Sequence, residues 1–240
     1  MCGRYTLAST TPAQLRARFP LGESVQIAQR FNVAPGDDVL AVVMRAAEPG
    51  GAVHPTGALL RWGLVPPWAE DPRVGFKMIN ARAETVEDKP AYRNPFLRGR
   101  CLIVADGFYE WTRDGARQPF HITRDGGEPF AFAGLRTAWR DPRNPESELL
   151  RSCTIITTEA NAKIAHIHPR MPVILDPADE QEWLDPNTPS GRLHELLRPL
   201  PVDLTQARPV SKAVNDARYD GPECLAPPEP EPAPPQGELF

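Results

Sequence analysis

No apolar run in the chain approaches the ~20 residues needed to cross a bilayer, and the N-terminus lacks the basic-then-apolar order of a secretory signal. A cytoplasmic protein is therefore expected. Cysteine is scarce: Cys2, Cys101, Cys153 and Cys224 lie far apart with no C-x-x-C pair, which argues against a disulfide framework and against structural zinc. Cys101 and Cys153 open apolar runs and read as buried, inert thiols. There is no internal repeat and no long alternation of helix and strand, so a doubly wound parallel sheet is not expected.

Net positive charge is also missing, but that deficit comes from one place. The formal charge is −4, and the segment from Asp220 onward holds five carboxylates and neither Lys nor Arg. Residues 1–100 carry 13 Lys/Arg against 9 Asp/Glu, a balance compatible with a polyanion but not demanding one. Half of the residues from Pro222 to Pro235 are proline, interleaved with Glu and Ala. The sequence thus predicts a folded domain over 1–219 and a disordered Pro/Glu-rich tail over 220–240.

At 240 residues the chain can bury a large core. Thr11-Pro12 opens a short helix with a threonine cap. Val39–Met44, Leu59–Gly63, Cys101–Ala105, Gln118–Thr123, Phe130–Ala133 and Cys153–Thr157 read as strands bounded by Gly, Pro or Asp. Asn161–Ile167, Pro177–Leu184 and Arg192–Leu197 read as short helices. The expected fold is one α+β domain on a curved, barrel-like, mostly antiparallel sheet with short flanking helices.

Several residues offer chemistry. Once Met1 is removed, Cys2 carries a free amine and a thiol, with ordinary pKa values near ~8 and ~8.5. The amine can attack an aldehyde and the thiol can then close a five-membered thiazolidine; alternatively the thiol attacks an acyl carbon with the amine as its base. A cysteine there can also be incidental. Glu110, between Tyr109 and Trp111 after a buried run, either has its pKa raised and moves protons or points to solvent. His166 and His168 can ligate metal, although no third ligand is evident; without metal, one acts as acid/base with Arg170 as an anion contact. Asn80 and Arg82 share a face of an extended segment.

Six blocks taken together resemble the SRAP family, the SOS response-associated peptidase proteins. They are Met1–Tyr5, Phe31–Pro35, Arg61–Trp68, Asn80–Glu84, Gly107–Trp111 and His168–Pro172, in the family's order from about Cys2 to Leu184. The resemblance implies an abasic-site sensor that binds single-stranded DNA and forms a covalent thiazolidine crosslink through Cys2. It also implies Met1 removal, by autoproteolysis or an aminopeptidase, and a possible lyase-like activity. Glu110 matches the proton shuttle, His168 the residue that helps open the sugar, and Asn80 the amide that positions it. Arg4, Arg82 and Arg170 match contacts to the DNA backbone, although Arg4 and Arg170 can instead pair with carboxylates. Asn32, Pro35 and Trp68 match loops lining the DNA groove, while Trp62 and Trp111 read as core. No metal or organic cofactor is implied, and a monomer is the simplest expectation, nucleoid-associated when bound. Two other classes stay open: a cysteine peptidase or amidohydrolase acting on an external substrate, and a binding module in which Cys2 does no chemistry.

Overall fold

The computed structural model describes residues 2–46 and 51–229. In chain order the strands are β1 (Arg4–Leu7), β2 (Arg30–Val33), β3 (Asp38–Ala46), β4 (Val53–Trp62), β5 (Asn80–Arg82), β6 (Arg100–Ala105), β7 (Gly107–Trp111), β8 (Pro119–Arg124), β9 (Phe130–Trp139), β10 (Leu150–Glu159), β11 (Arg170–Pro172) and β12 (Thr205–Pro209). The helices are α1 (Pro12–Arg18), α2 (Pro90–Arg98), α3 (Glu180–Leu184) and α4 (Ser190–Leu196).

These strands form two sheets. The first is antiparallel throughout, in the order β12-β8-β7-β1-β2. The second runs β11-β10-β4-β3-β6-β9, and β9 pairs back onto β10, so five strands close into a ring that falls short of a regular barrel. The expected α+β fold is therefore present. Its parallel pairings are β10 with β4 and with β5. The β5 pairing places Asn80 beside Ile155 and Arg82 beside Thr157, which carries both into the site.

Alternation along the strands divides the core. One cluster, with Leu40, Val42, Leu102, Ala133 and Ile156, packs against Leu15 and Phe19 and against Phe96, Trp183 and Leu193 of the helices. The other lies between the sheets and holds Cys2, Tyr5, Trp62, Ile103, Phe108, Phe132 and Ile155. Burying a side chain of this size stabilises by about 1.5–3 kcal/mol before entropy is counted, so the strand end on which Cys2 sits is anchored from below. Gly107 is required at the β1–β7 crossing. A Cβ there would meet the His121 ring at 2.1 Å, inside the buried Thr6–Asp106–His121 network.

The Thr11 cap forms as expected and completes a capping box with Gln14. Residues 161–167 make successive turns in place of the expected helix, because the Asn161 side chain caps Lys163 and is tied to Leu200 and Thr205. The proposed tail boundary also moves. Residues 222–225 form a 3-10 turn, Cys224 is fully buried, and Asp220 accepts hydrogen bonds from Phe31 N and Asn32 N. The first ten residues assigned to a disordered extension thus include a strap bonded to β2; proline suits such a turn as well as it suits disorder. The expected disorder of 230–240 lies outside the described residues. Among the described residues no helix is long and apolar enough to cross a membrane.

Candidate active site

Cys2 follows Met1 and leads directly into β1, which lies between β2 and β7. Its side chain is fully buried, and burial together with the Glu110 carboxylate pushes the thiol well above its ordinary range. The thiol therefore stays protonated at neutral pH. Asn80, at the start of β5, donates its amide to the Cys2 carbonyl at 2.8 Å. The Asn80 main-chain carbonyl in turn accepts from the Tyr92 hydroxyl at 3.2 Å, and the neighbouring Ile79 carbonyl accepts from the Trp62 indole at 2.9 Å. The backbone that aims Asn80 is thereby fixed on both sides.

Glu110 enters from β7. Because Tyr5 and Phe108 are paired across β1 and β7, alternation turns Glu110 toward the inter-sheet core, away from Tyr109 and Trp111. It is 3% exposed, and burial raises its carboxyl to about 7 against the pull of nearby positive charge that includes Arg113. A carboxyl balanced near neutrality can both accept and return a proton. His168 Nδ1 lies 3.8 Å from Glu110 Oε1. The ring is oriented by Arg170, whose main-chain N lies 3.0 Å and whose carbonyl O lies 3.1 Å from the same Nδ1, one serving each tautomer. Burial, with neighbouring positive charge, lowers the His168 pKa, so the imidazole is largely neutral at pH 7. Arg113, which the sequence did not single out, reaches to 3.4 Å of His168 Nε2. Its only sequence signal was its place two residues after Trp111 in the β7–β8 hairpin.

Beside Asn80 opens a hollow of about 540 Å³, lined by Trp68, Met78, Arg82, Lys89 and Tyr92. Trp68 is 63% exposed, and Arg82 and Lys89 are exposed as well. A free indole with two cations beside a largely apolar cleft suits stacked planar groups on an anionic chain. The loop that carries Trp68 starts at Gly63, whose φ of +125° and close approach to the Gly75 backbone leave no room for a side chain.

Other expected contacts are placed differently. Asn32 is not on a loop: it sits within β2, 1% exposed, and its amide donates to Asp216 O at 3.0 Å and Tyr219 O at 2.7 Å. Arg4 donates to Asn32 Oδ1 at 3.0 Å and to Val214 O at 2.7 Å, so part of its guanidinium is held by protein. Arg170 makes a two-pronged ion pair with Glu84, at 2.6 and 3.0 Å, and donates to Thr157 O. Of the two readings open for Arg170, the structure shows the carboxylate pairing. Pro35 is half-buried in the turn between β2 and β3. Trp62 is core, but Trp111 is half-buried, with its indole donating to Asn215 Oδ1 at 2.7 Å. His166 is exposed against the Phe120 ring. Among the described residues no group of three or more His, Cys, Asp or Glu is placed to hold a metal ion.

Comparison with known proteins bears on this geometry. The family model described as SOS response associated peptidase (SRAP) matches residues 1–217. The chain is 41% identical over 231 residues to the abasic site processing protein YoqW of Bacillus subtilis, covering 94% of this chain and 99% of that one. It is 39% identical over 194 residues to the abasic site processing protein HMCES of Gallus gallus, covering 70% of this chain and 56% of the longer relative. Among solved structures, a Bacteroides thetaiotaomicron protein superposes with a TM-score of 0.79 at 24% identity, over 94% of this chain and 99% of that one, and bears on the fold alone. A phage-related protein of Bordetella bronchiseptica superposes at 0.67 with 32% identity, over 91% of this chain and 99% of that one.

Proposed function

The chain belongs to the SOS response associated peptidase (SRAP) family, and from that premise we propose that it processes abasic sites in single-stranded DNA by joining them covalently to Cys2. The relatives named above are abasic site processing proteins. The observation that carries the reading is the convergence on one strand end of Cys2, the Asn80 amide on its carbonyl, and a buried carboxyl that titrates near neutrality.

The chemistry then runs through the chain's own groups. Hydrolysis of the Met1–Cys2 bond frees the amine: water adds to the Met1 carbonyl carbon, the C–N bond breaks, and Cys2 nitrogen takes a proton. Glu110 is the group suited to carry that proton from water to nitrogen. An abasic sugar in its open form presents an aldehyde. The Cys2 amine adds to the aldehyde carbon, and Glu110 takes the amine proton and returns it to the departing hydroxyl as water leaves. The resulting imine carbon is then attacked by Cys2 Sγ, the thiol proton moves to nitrogen, and the thiazolidine closes with a net loss of one water. His168, neutral and beside Glu110, is suited to take the sugar hydroxyl proton as the ring opens. Asn80 holds the Cys2 carbonyl, fixing the amine's direction of approach.

The protonated, buried thiol favours this order over a peptidase acting on outside substrates. A cysteine peptidase attacks with a thiolate whose pKa is depressed, whereas here burial raises it. The amine acts first and the thiol traps the imine. Trp68, Pro35, Arg82 and Lys89 supply stacking and charge for the strand. Every step uses the chain's own groups in one copy and calls for no metal or organic cofactor.

Intact mass of the purified protein, alone and after incubation with a single-stranded oligonucleotide carrying one abasic site, tests the reading. Loss of one methionine and a denaturant-stable adduct of protein plus DNA minus water are expected. Loss of methionine without an adduct would overturn it in favour of a peptidase, and retained methionine without an adduct in favour of plain binding.

A further inference from the structure

Arg113 stands in the turn between β7 and β8 as a cation without an acid of its own. Among the described residues no carboxylate pairs with it: Asp114, the next residue, accepts from Thr112 Oγ1 and from Arg117 N instead. The base of the turn is closed by Thr112 N donating to Gln118 O at 3.0 Å and by Gln118 N donating to Thr112 Oγ1 at 2.9 Å. From this pinned backbone the guanidinium turns to an imidazole, and Arg113 Nη2 lies 3.4 Å from His168 Nε2.

The surroundings of the ring differ at its two nitrogens. Nδ1 faces two acceptors, the Arg170 carbonyl at 3.1 Å and, from β7, Glu110 Oε1 at 3.8 Å, and one donor, Arg170 N at 3.0 Å. Nε2 faces a guanidinium, which has N–H donors and no acceptor. A neutral imidazole carries one proton. The acceptors draw it to Nδ1, and the Arg113 donor then meets the Nε2 lone pair. Protonating both nitrogens would set N–H against N–H on each side. The charged groups around the ring are Arg113 from the turn, Glu110 from β7 and Arg170 from β11, with Cys2 entering beside Glu110 from the end of β1. Burial comes first in disfavouring the imidazolium, and the cations add to it against the pull of the Arg170 carbonyl.

We propose that Arg113 is a positioning residue for His168: its guanidinium holds the ring neutral, with the proton on Nδ1 and the lone pair on Nε2, the nitrogen that accepts the sugar proton. The inference rests on the proposed function and deepens it. Nδ1 is enclosed by Arg170 and Glu110, whereas Nε2 lies toward an exposed side chain, so Nε2 is the nitrogen a substrate reaches. At 3.4 Å the Arg113 contact is long for a hydrogen bond. A substrate hydroxyl can therefore replace the guanidinium as donor to the same lone pair. The anomeric hydroxyl proton passes to Nε2, the ring C–O bond breaks to leave the aldehyde, and the ring oxygen takes a proton from water. The hydroxide so formed takes the proton back from the imidazolium. Arg113 touches none of the reacting atoms.

The test compares wild type with Arg113→Met, which removes the charge and the donors, and with Arg113→Lys, which keeps a donor-only cation. Nitrogen-15 spectra of the histidine rings, assigned with His168→Gln, read the tautomer and the titration midpoint of His168. Single-turnover crosslinking at saturating DNA gives a pH–rate profile for the same proteins. Wild type should show the Nδ1–H tautomer at pH 7.5. In Arg113→Met the His168 midpoint should rise and the acid limb of the profile should move to higher pH with it. The rate at pH 5.5 should fall severalfold and the rate at pH 8 should stay within about twofold of wild type. Arg113→Lys should follow wild type, and Tm should not move in either variant, because the side chain is exposed. Loss of a mere phosphate contact would weaken binding and leave the profile at saturating DNA in place. An Nε2–H tautomer in wild type, or an unmoved midpoint or acid limb in Arg113→Met, would overturn the proposal. A wild type that crosslinks no abasic strand would overturn the proposed function, while a risen His168 midpoint in Arg113→Met would still uphold the hold of Arg113 on the ring.

Discussion

The side-chain amide of Asn80 donates to the main-chain carbonyl of Cys2 at 2.8 Å, across 78 positions of sequence. In the proposed reaction it is a positioning contact, because it acts on the peptide plane that bears the nucleophile and not on the nucleophile itself. Asn80→Ala should slow crosslinking by about 10²-fold, the usual scale for a misaimed reacting group. Asn80→Asp should do no better, since a carboxylate repels a carbonyl oxygen. Single-turnover rates on denaturing gels, read beside thermal unfolding, separate aim from folding. Wild-type rates in both variants would remove Asn80 from the mechanism.

Glu110 should make the protein less stable where it makes it active. Its carboxyl is raised from 4.5 to about 7 in the folded state, so between those values the folded chain binds more protons than the unfolded one. Stability therefore falls as pH rises from about 4.5 to about 7, and is level above and below that window. The shift corresponds to about 3 kcal/mol. Glu110→Gln should abolish crosslinking yet raise Tm at pH 8, with little gain at pH 4. Thermal melts across that range check the sign, and a variant less stable at pH 8 than at pH 4 relative to wild type would contradict it.

If Arg170 contacts DNA, as the resemblance implies, Glu84, which holds it in the structure, must give it up. The carboxylate is about half-exposed, so the pair contributes at most about 1 kcal/mol to stability. Exchanging it for a phosphate costs little. Glu84→Gln should leave Tm within a few degrees, tighten single-strand binding severalfold at low salt, and steepen its salt slope by about 0.7. An unchanged slope would make Arg170 purely structural, holding β11 and the ring of His168.

Asn32 should matter for folding. Its side chain ties β2 to the main chain at Asp216 and Tyr219 and receives Arg4, all within a buried site. Asn32→Ala leaves those groups unpaired and should cost about 2–3 kcal/mol. Limited proteolysis should then cut within residues 214–225 before any other region. Destabilisation without early cleavage there would place the effect elsewhere.

How much of this was legible in the sequence differs from residue to residue. The runs from Cys101 to Ala105 and from Cys153 to Thr157 announced strands because a fully buried strand must be apolar on both faces. Cys2, Asn80, Glu110 and His168 were nameable because their blocks stand in a recognisable order, and the structure brings them to one strand end. The sequence misread Asn32 as a loop residue and Trp111 as core. Trp111 was judged from its neighbours in the chain and Asn32 from the family block it matches, whereas the environment of each comes from elements about a hundred or more positions away.

Local composition thus determined the kinds of element, the reactive groups and the class of reaction they suit, because those depend on side-chain chemistry and short-range periodicity. Only the tertiary structure decided which groups are charged and which are committed. It buried Glu110 until its carboxyl titrates near neutrality, set Arg170 on Glu84, and strapped residues 214–225 across β2. Desolvation and ion pairing depend on distances between segments remote in sequence, and only the tertiary fold fixes those distances.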